Sequence, residues 1–137
     1  MIDVELGRQV MVKVDNKVGT LAQASSEMSS CGINLLAVCA YAVDNNGMLM
    51  FVCDNHKSAI KALKKKEYNV RDEEVVLLTI TNKPGSLLSV TQRISECGID
   101  LTLLYGSVEQ NGKKSRIVLV SEDNNAVIAA IKTISKK

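Results

Sequence analysis

The segment NKVGTLAQASSEMSSCGINL at 16–35 returns 66 residues later, at 82–101, as NKPGSLLSVTQRISECGIDL, with nine of twenty positions identical. No other feature restricts the fold as strongly, because any structure that accepts the first copy must accept the second. Each copy sets out a turn around glycine, a helical run, a Cys-Gly stop and the opening of an apolar strand. The likeness continues past the shared twenty residues. AVDNNG at 42–47 answers SVEQNG at 107–112, after which KKS is extra in the second copy, an insertion of the kind hairpin tips accept. MFVCDNHKSAIKAL at 50–63 then answers VLVSEDNNAVIAAI at 118–131.

Hydrophobic period assigns the elements. QVMVKVD at 9–15 alternates Val10, Val12 and Val14 with polar residues, which marks a strand with one buried face. Leu21, Ala24, Met28 and Cys31 fall at helical spacing, as do Leu87, Thr91, Ile94 and Cys97, and Gly32 and Gly98 supply left-handed stops. INLLAVCAYAV and MLMFVC bracket DNNG as a hairpin with an Asn-Gly tip. Asp54 or Asn55 then caps a helix that turns Ala59, Ile60 and Leu63 inward.

A short strand YNVRD at 68–72 completes a split βαβ unit, and EVVLLTITN opens the next copy almost without a linker. The expected fold is α+β: two ferredoxin-like βαββαβ repeats with antiparallel sheets and helices on one face, divided as 1–72 and 73–137. The second repeat lacks a clear final strand, and the residues MIDVEL at the start are expected to cover that open sheet edge.

Composition removes whole classes of function. Seventeen basic against fifteen acidic residues give a net charge of +2 with no basic stripe, and aromatic residues make up only 3%, so neither a phosphate backbone nor stacked bases are provided for. No apolar run reaches the roughly 20 residues of a membrane span, and MIDVELGRQV has no signal-peptide pattern. The expectation is a cytoplasmic protein with no nucleic-acid or membrane partner. Cys31, Cys39, Cys53 and Cys97 form no CxxC pair and read as reduced core thiols, with Cys31 and Cys97 as small core fillers. His56 is the single histidine, placed in the first turn of a helix, so neither a metal site nor a catalytic set is expected, and no cofactor.

A strand ending in Asn-x-Pro-Gly, then a small residue and Leu, a helix, and Gly-Ile-Asn/Asp-Leu opening the next strand, resembles the ACT domain, the small regulatory module of amino-acid metabolism. The resemblance covers nearly all of the chain, twice over, as in stand-alone tandem ACT proteins. It implies a free amino acid held at an interface of ACT domains, between the first strand-helix turn and the opening of the second strand. The residues that match are Asn16, Lys17, Val18, Gly19 and Thr20 with Asn34 and Leu35, and Asn82, Lys83, Pro84, Gly85 and Ser86 with Asp100 and Leu101. Val18 departs from the family's proline.

These residue types suit that chemistry. A helix amino terminus offers N–H groups and partial positive charge to a carboxylate, and glycine lets the backbone approach closely. Asp100 can pair with an ammonium, where Asn34 can only accept a hydrogen bond. Leu35, Leu36, Leu101 and Leu103 suggest an apolar wall. The same turns also suit a purely local role, since Pro-Gly starts many helices that bind nothing. Three functions therefore stand: a non-catalytic, allosteric amino-acid sensor acting on a partner or on its own homodimer; a regulatory subunit of an amino-acid metabolic enzyme such as acetohydroxyacid synthase; and a structural dimerisation module.

Overall fold

The computed structural model describes residues 2–108 and 112–135. Its elements run β1 (Ile2–Asp15), α1 (Thr20–Ser30), β2 (Leu35–Val43), β3 (Asn46–Cys53), α2 (His56–Lys65), β4 (Asn69–Thr81), α3 (Ser86–Glu96), β5 (Leu101–Val108), β6 (Lys114–Ser121) and α4 (Asn124–Ser135). They form two compact units, Arg8–Glu73 and Glu74 onward joined by the residues up to Gly7.

In the first unit the strands lie in the order β2-β3-β1-β4, with β3 antiparallel to both β1 and β2. Val10 and Val12 of β1 align with Phe51 and Leu49 of β3, and this face is closed by Ala24 and Met28 of α1 and Ala59 and Leu63 of α2. Phe51 is fully buried, a side chain worth roughly 1.5–3 kcal/mol in burial. The second unit repeats the plan in the order β1-β4-β6-β5, where Val76 and Leu78 align with Leu119 and Ile117 beneath Val90 and Ile94 of α3 and Val127 and Ile131 of α4. Both units are ferredoxin-like, as the repeat implied.

The final strand of the second unit comes from the other end of the chain. Ile2 and Val4 pack against the second core, and β1 occupies the outer position beside β4. A Cβ at Gly7 would stand 2.5 Å from Leu77 Cδ1 of β4, so a larger residue there would have to displace the Leu77 side chain. Two strands thus pass through a unit boundary. β1 gives its residues up to Gly7 to the second unit and the rest to the first, while β4, expected as two strands, is one element divided after Glu73.

Three local expectations change. The β2–β3 turn is Asp44-Asn45, because Val43 already pairs with Asn46, and Asp44 takes the positive φ of 55°. The Asn-Gly pair falls inside β3. Of the helical residues expected to face inward, Leu21, Leu87, Cys31 and Cys97 are exposed, while Val90 is buried. The reason is the helix ending: Ile33 N donates to Met28 O and Gly32 N to Ser29 O, with the same bonds from Ile99 to Ile94 and Gly98 to Ser95. This Schellman arrangement folds the isoleucine after the glycine back over the helix, so Ile33 and Ile99 close the core and the preceding cysteines face out. Cys53 is the buried cysteine; burial, then the charge of Asp54, pushes its thiol up to about 11.

Candidate functional site

Both turns of the repeat are built alike. Gly19 and Gly85 each sit at φ 89°, the left-handed region, and each is the N-cap of its helix without a side-chain cap. A Cβ at either glycine would meet nothing within 4 Å, so the requirement for glycine is conformational and the space above it is open. The first N–H groups of a helix have no intrahelical partners. Thr20 N and Ser86 N bond back to Lys17 O and Lys83 O, and with no side chain capping the N–H groups that follow, α1 and α3 present those and the positive end of their dipoles at the turn.

Fixing bonds differ between the copies. Asn16 N donates to Asn45 O at 2.9 Å, and Thr20 Oγ1 donates back to Lys17 O at 2.9 Å. In the second turn Asn82 N donates to Lys113 O at 2.8 Å and Asn82 Nδ2 to Gly112 O at 3.2 Å, while Ser89 Oγ donates to Gly85 O at 3.0 Å. The second asparagine side chain is therefore anchored to the β5–β6 connection, with its Oδ1 left to accept.

Cavities flank the start of α3. One, of about 310 Å³, has Ile80, Leu104, Gly106 and Ile117 as its floor, Ser86 and Leu87 as a wall, and Thr81, Asn82, Lys83, Ser107 and Ser115 around it. The other, of about 360 Å³, lies against Lys83, Pro84, Gly85 and Ser89 and is walled by Ile2 and Ile134. Asn82, Lys83, Pro84, Gly85 and Ser86 thus all border open volume.

The other half of the expected site lies elsewhere in each unit. Leu35 pairs with Cys53, whereas the turn end of β1, Asp15, pairs with Asn46 at the far end of β3. Asn34 and Asn16 therefore stand at opposite ends of the sheet, and so do Asp100 and Asn82, with the eight residues of β5, about 26 Å of strand, between them. Asn34 N donates to Asp54 Oδ1 at 3.0 Å, and Leu35 and Leu101 pack against the two cores.

Sequence reasoning did not reach Leu104, Gly106, Ser115 and Ile117. The register of β5 shifts between Leu101 and Leu103, after which Leu104 aligns with Leu119 and Gly106 with Ile117. Residues opposite one another in an antiparallel pair share a face. The bulge thus moves Leu104 and Gly106, in place of Leu103 and Tyr105, onto the side where α3 packs. β2 has the same shift between Leu35 and Ala37.

A polar cluster belongs to the first unit. Arg8 Nε donates to Asp72 Oδ1 at 2.8 Å, and His56 Nε2 meets the same oxygen at 2.8 Å. The Arg8 bond, ahead of a smaller opposing effect of burial and with help from His56, holds the Asp72 carboxyl below the usual 3.8. In the second unit the matching helix start carries Asn124, whose Nδ2 donates to Glu74 O at 3.2 Å and whose Oδ1 accepts from Ser121 N at 2.9 Å. Among the described residues no group of three or more His, Cys, Asp or Glu side chains could hold a metal ion. No helix among them is long and apolar enough to cross a membrane.

A family model described as an ACT domain pair matches residues 6–135. No curated protein matches the chain. Among solved structures, protein BT0572 from Bacteroides thetaiotaomicron superposes with a TM-score of 0.89 at 23% identity, over 96% of this chain and 90% of that one. The ligand-free regulatory subunit of aspartate kinase from Thermus thermophilus superposes at 0.69 with 12% identity, over 96% and 95%. Aspartokinase alpha and beta subunits give 0.68 at 11%, over 99% and 97%. At such identities the likeness is one of fold.

Proposed function

The chain belongs to the ACT domain pair family, and from that premise we propose that it is a non-catalytic regulatory protein that binds a free amino acid at an interface of ACT domains and modulates a partner or its own assembly. The observation that carries this reading is the second turn: a left-handed Gly85, an uncapped α3 and Lys83 meet beside open volume. The α3 terminus and Lys83 take the carboxylate, and Asn82 Oδ1 accepts from the ammonium. Asn34 and Asp100 stand too far along their sheets to join the same ligand within one unit, so in this reading a homodimer brings them to it. Leu36, Val38, Tyr41 and Val43, exposed on the outermost strand of the first unit, suit such a pairing.

The test is thermal unfolding against each of the twenty amino acids at millimolar concentration. A ligand at about 100 times its dissociation constant stabilises by roughly 2.7 kcal/mol, several degrees for a chain of this size. One responder, or a few related ones, supports the reading; no shift with any of them refutes it. A second reading is favoured by the Thermus thermophilus structure, a regulatory subunit of which the superposition covers 95%. In that case the chain is the subunit of an amino-acid metabolic enzyme, and it should co-purify with a catalytic chain.

A further inference from the structure

The 310 Å³ cavity beside α3 has a chemistry of its own. It lies at the lower end of the roughly 300–1,000 Å³ typical of small-molecule sites, which suits one amino acid. Its floor of Ile80, Leu104 and Ile117, with the Leu87 wall, is apolar, and Lys83 is the single charged residue around it among the described residues. Among the described residues no carboxylate lines it, so a cationic side chain would find no counter-charge from them there. A ligand whose carboxylate faces Lys83 and the α3 terminus would set its side chain on the apolar floor and against Leu87, with the neutral hydroxyls of Ser107 and Ser115 around it.

Gly106 is what gives the floor its depth. A Cβ at this position would lie 2.9 Å from Arg116 O and 3.0 Å from Ile117 Cγ1, so glycine alone lets β5 run this close to β6 while leaving the space above empty. The matching position of the first unit is Ala40, which pairs with Leu49 as Gly106 pairs with Ile117. The two turns share a backbone, yet only the second has a floor without a side chain at this point.

We infer that the cavity between the first turn of α3 and the β5–β6 pair receives the side chain of a neutral aliphatic amino acid, and that Leu104 and Ser115 set how large that side chain can be. This rests on the reading that the second turn binds an amino acid. Ligand selectivity then resides in the second unit, on residues that face the helix layer and are separate from the turn itself.

The experiment measures dissociation constants of the full-length protein for the twenty amino acids by calorimetry, in the wild type and in Ser115→Leu, Leu104→Ala and Ile2→Ala. The wild type is expected to prefer valine, leucine or isoleucine. Ser115→Leu, which fills the cavity from its rim, should weaken binding of the bulkier members tenfold or more, and Leu104→Ala should move the preference toward a larger side chain. Ile2→Ala, in the neighbouring cleft, should leave the order unchanged. A wild type that prefers a charged amino acid overturns the inference. So does an order that Ser115→Leu and Leu104→Ala leave intact, or one that only Ile2→Ala disturbs. If Gly85→Val removes binding while the cavity variants change nothing, the turn still binds an amino acid and this inference alone fails. A wild type that binds none overturns both.

Discussion

The turns at 15–20 and 81–86 have the same left-handed glycine and the same uncapped helix start, but their surroundings differ. Pro84 stiffens the second, where Val18 of the first projects wholly into solvent. Asn82 is tied by backbone and side chain to the β5–β6 connection, whereas the first helix is braced by Thr20 bonding within its own turn. Gly106 lies under the second and Ala40 at the matching place under the first. A duplicated motif can thus keep its backbone in both copies while the bonds and the space around it diverge.

The largest test of this difference is a pair of substitutions. Gly19→Val and Gly85→Val each force a branched side chain to φ 89°, at about 1–2 kcal/mol each, so both variants should lose similar stability in thermal unfolding. Only Gly85→Val should also lose the amino-acid response of roughly 2.7 kcal/mol at 100 times the dissociation constant. Equal loss of response from both would erase the distinction.

A smaller effect comes from exchanging the residues before the glycines. Val18→Pro should stabilise the protein by about 0.4–1 kcal/mol by restricting the unfolded chain, and Pro84→Val should cost about as much. Denaturant midpoints at unchanged slope would show it. A destabilising Val18→Pro would mean that the first turn has a backbone the second does not share.

The smallest concerns the helix starts, where the first unit uses Arg8, Asp72 and His56 and the second uses the neutral amide of Asn124. Because the folded pKa of Asp72 lies below its unfolded value, its contribution is complete above about 3.8 and is lost as pH falls through the folded value. The pair is half exposed, so Asp72→Asn should cost only a few tenths of a kcal/mol at neutral pH. Once the pH has fallen below the folded value, the variant and the wild type should converge. Hydrogen exchange on acidification should show the effect near α2 and not near α4.

Much of this was readable from residues alone. Alternation placed Val10, Val12 and Val14 on one face of a strand, the Cys-Gly pairs marked the helix ends, and the turns stood out because they occur twice. Hidden from the pattern was whatever depends on a partner strand. The bulge in β5 is a property of its pairing with β6, and a one-residue shift there exchanges the faces of everything that follows, so Leu103 was favoured where Leu104 lines the cavity. Cys31 and Cys97 misled for a similar reason. Helical spacing extended one step too far includes them, while the backbone has already turned and brought Ile33 and Ile99 over the core in their place.

The segment before Gly7 has one further consequence, for the order in which a ribosome delivers the parts. Residues 2–7 emerge early, but the β4 and α4 surfaces that receive them are made roughly seventy and more residues later. The first unit can close as soon as residue 73 is free. The second has to wait for its own strands and helices and then recruit a strand made before them, so the nascent chain carries an unmatched strand until β4 and the elements after it are made. The acidic residues Asp3 and Glu5, both exposed and alternating with Ile2 and Val4, put charge on that waiting strand, where charge discourages pairing with the wrong neighbour.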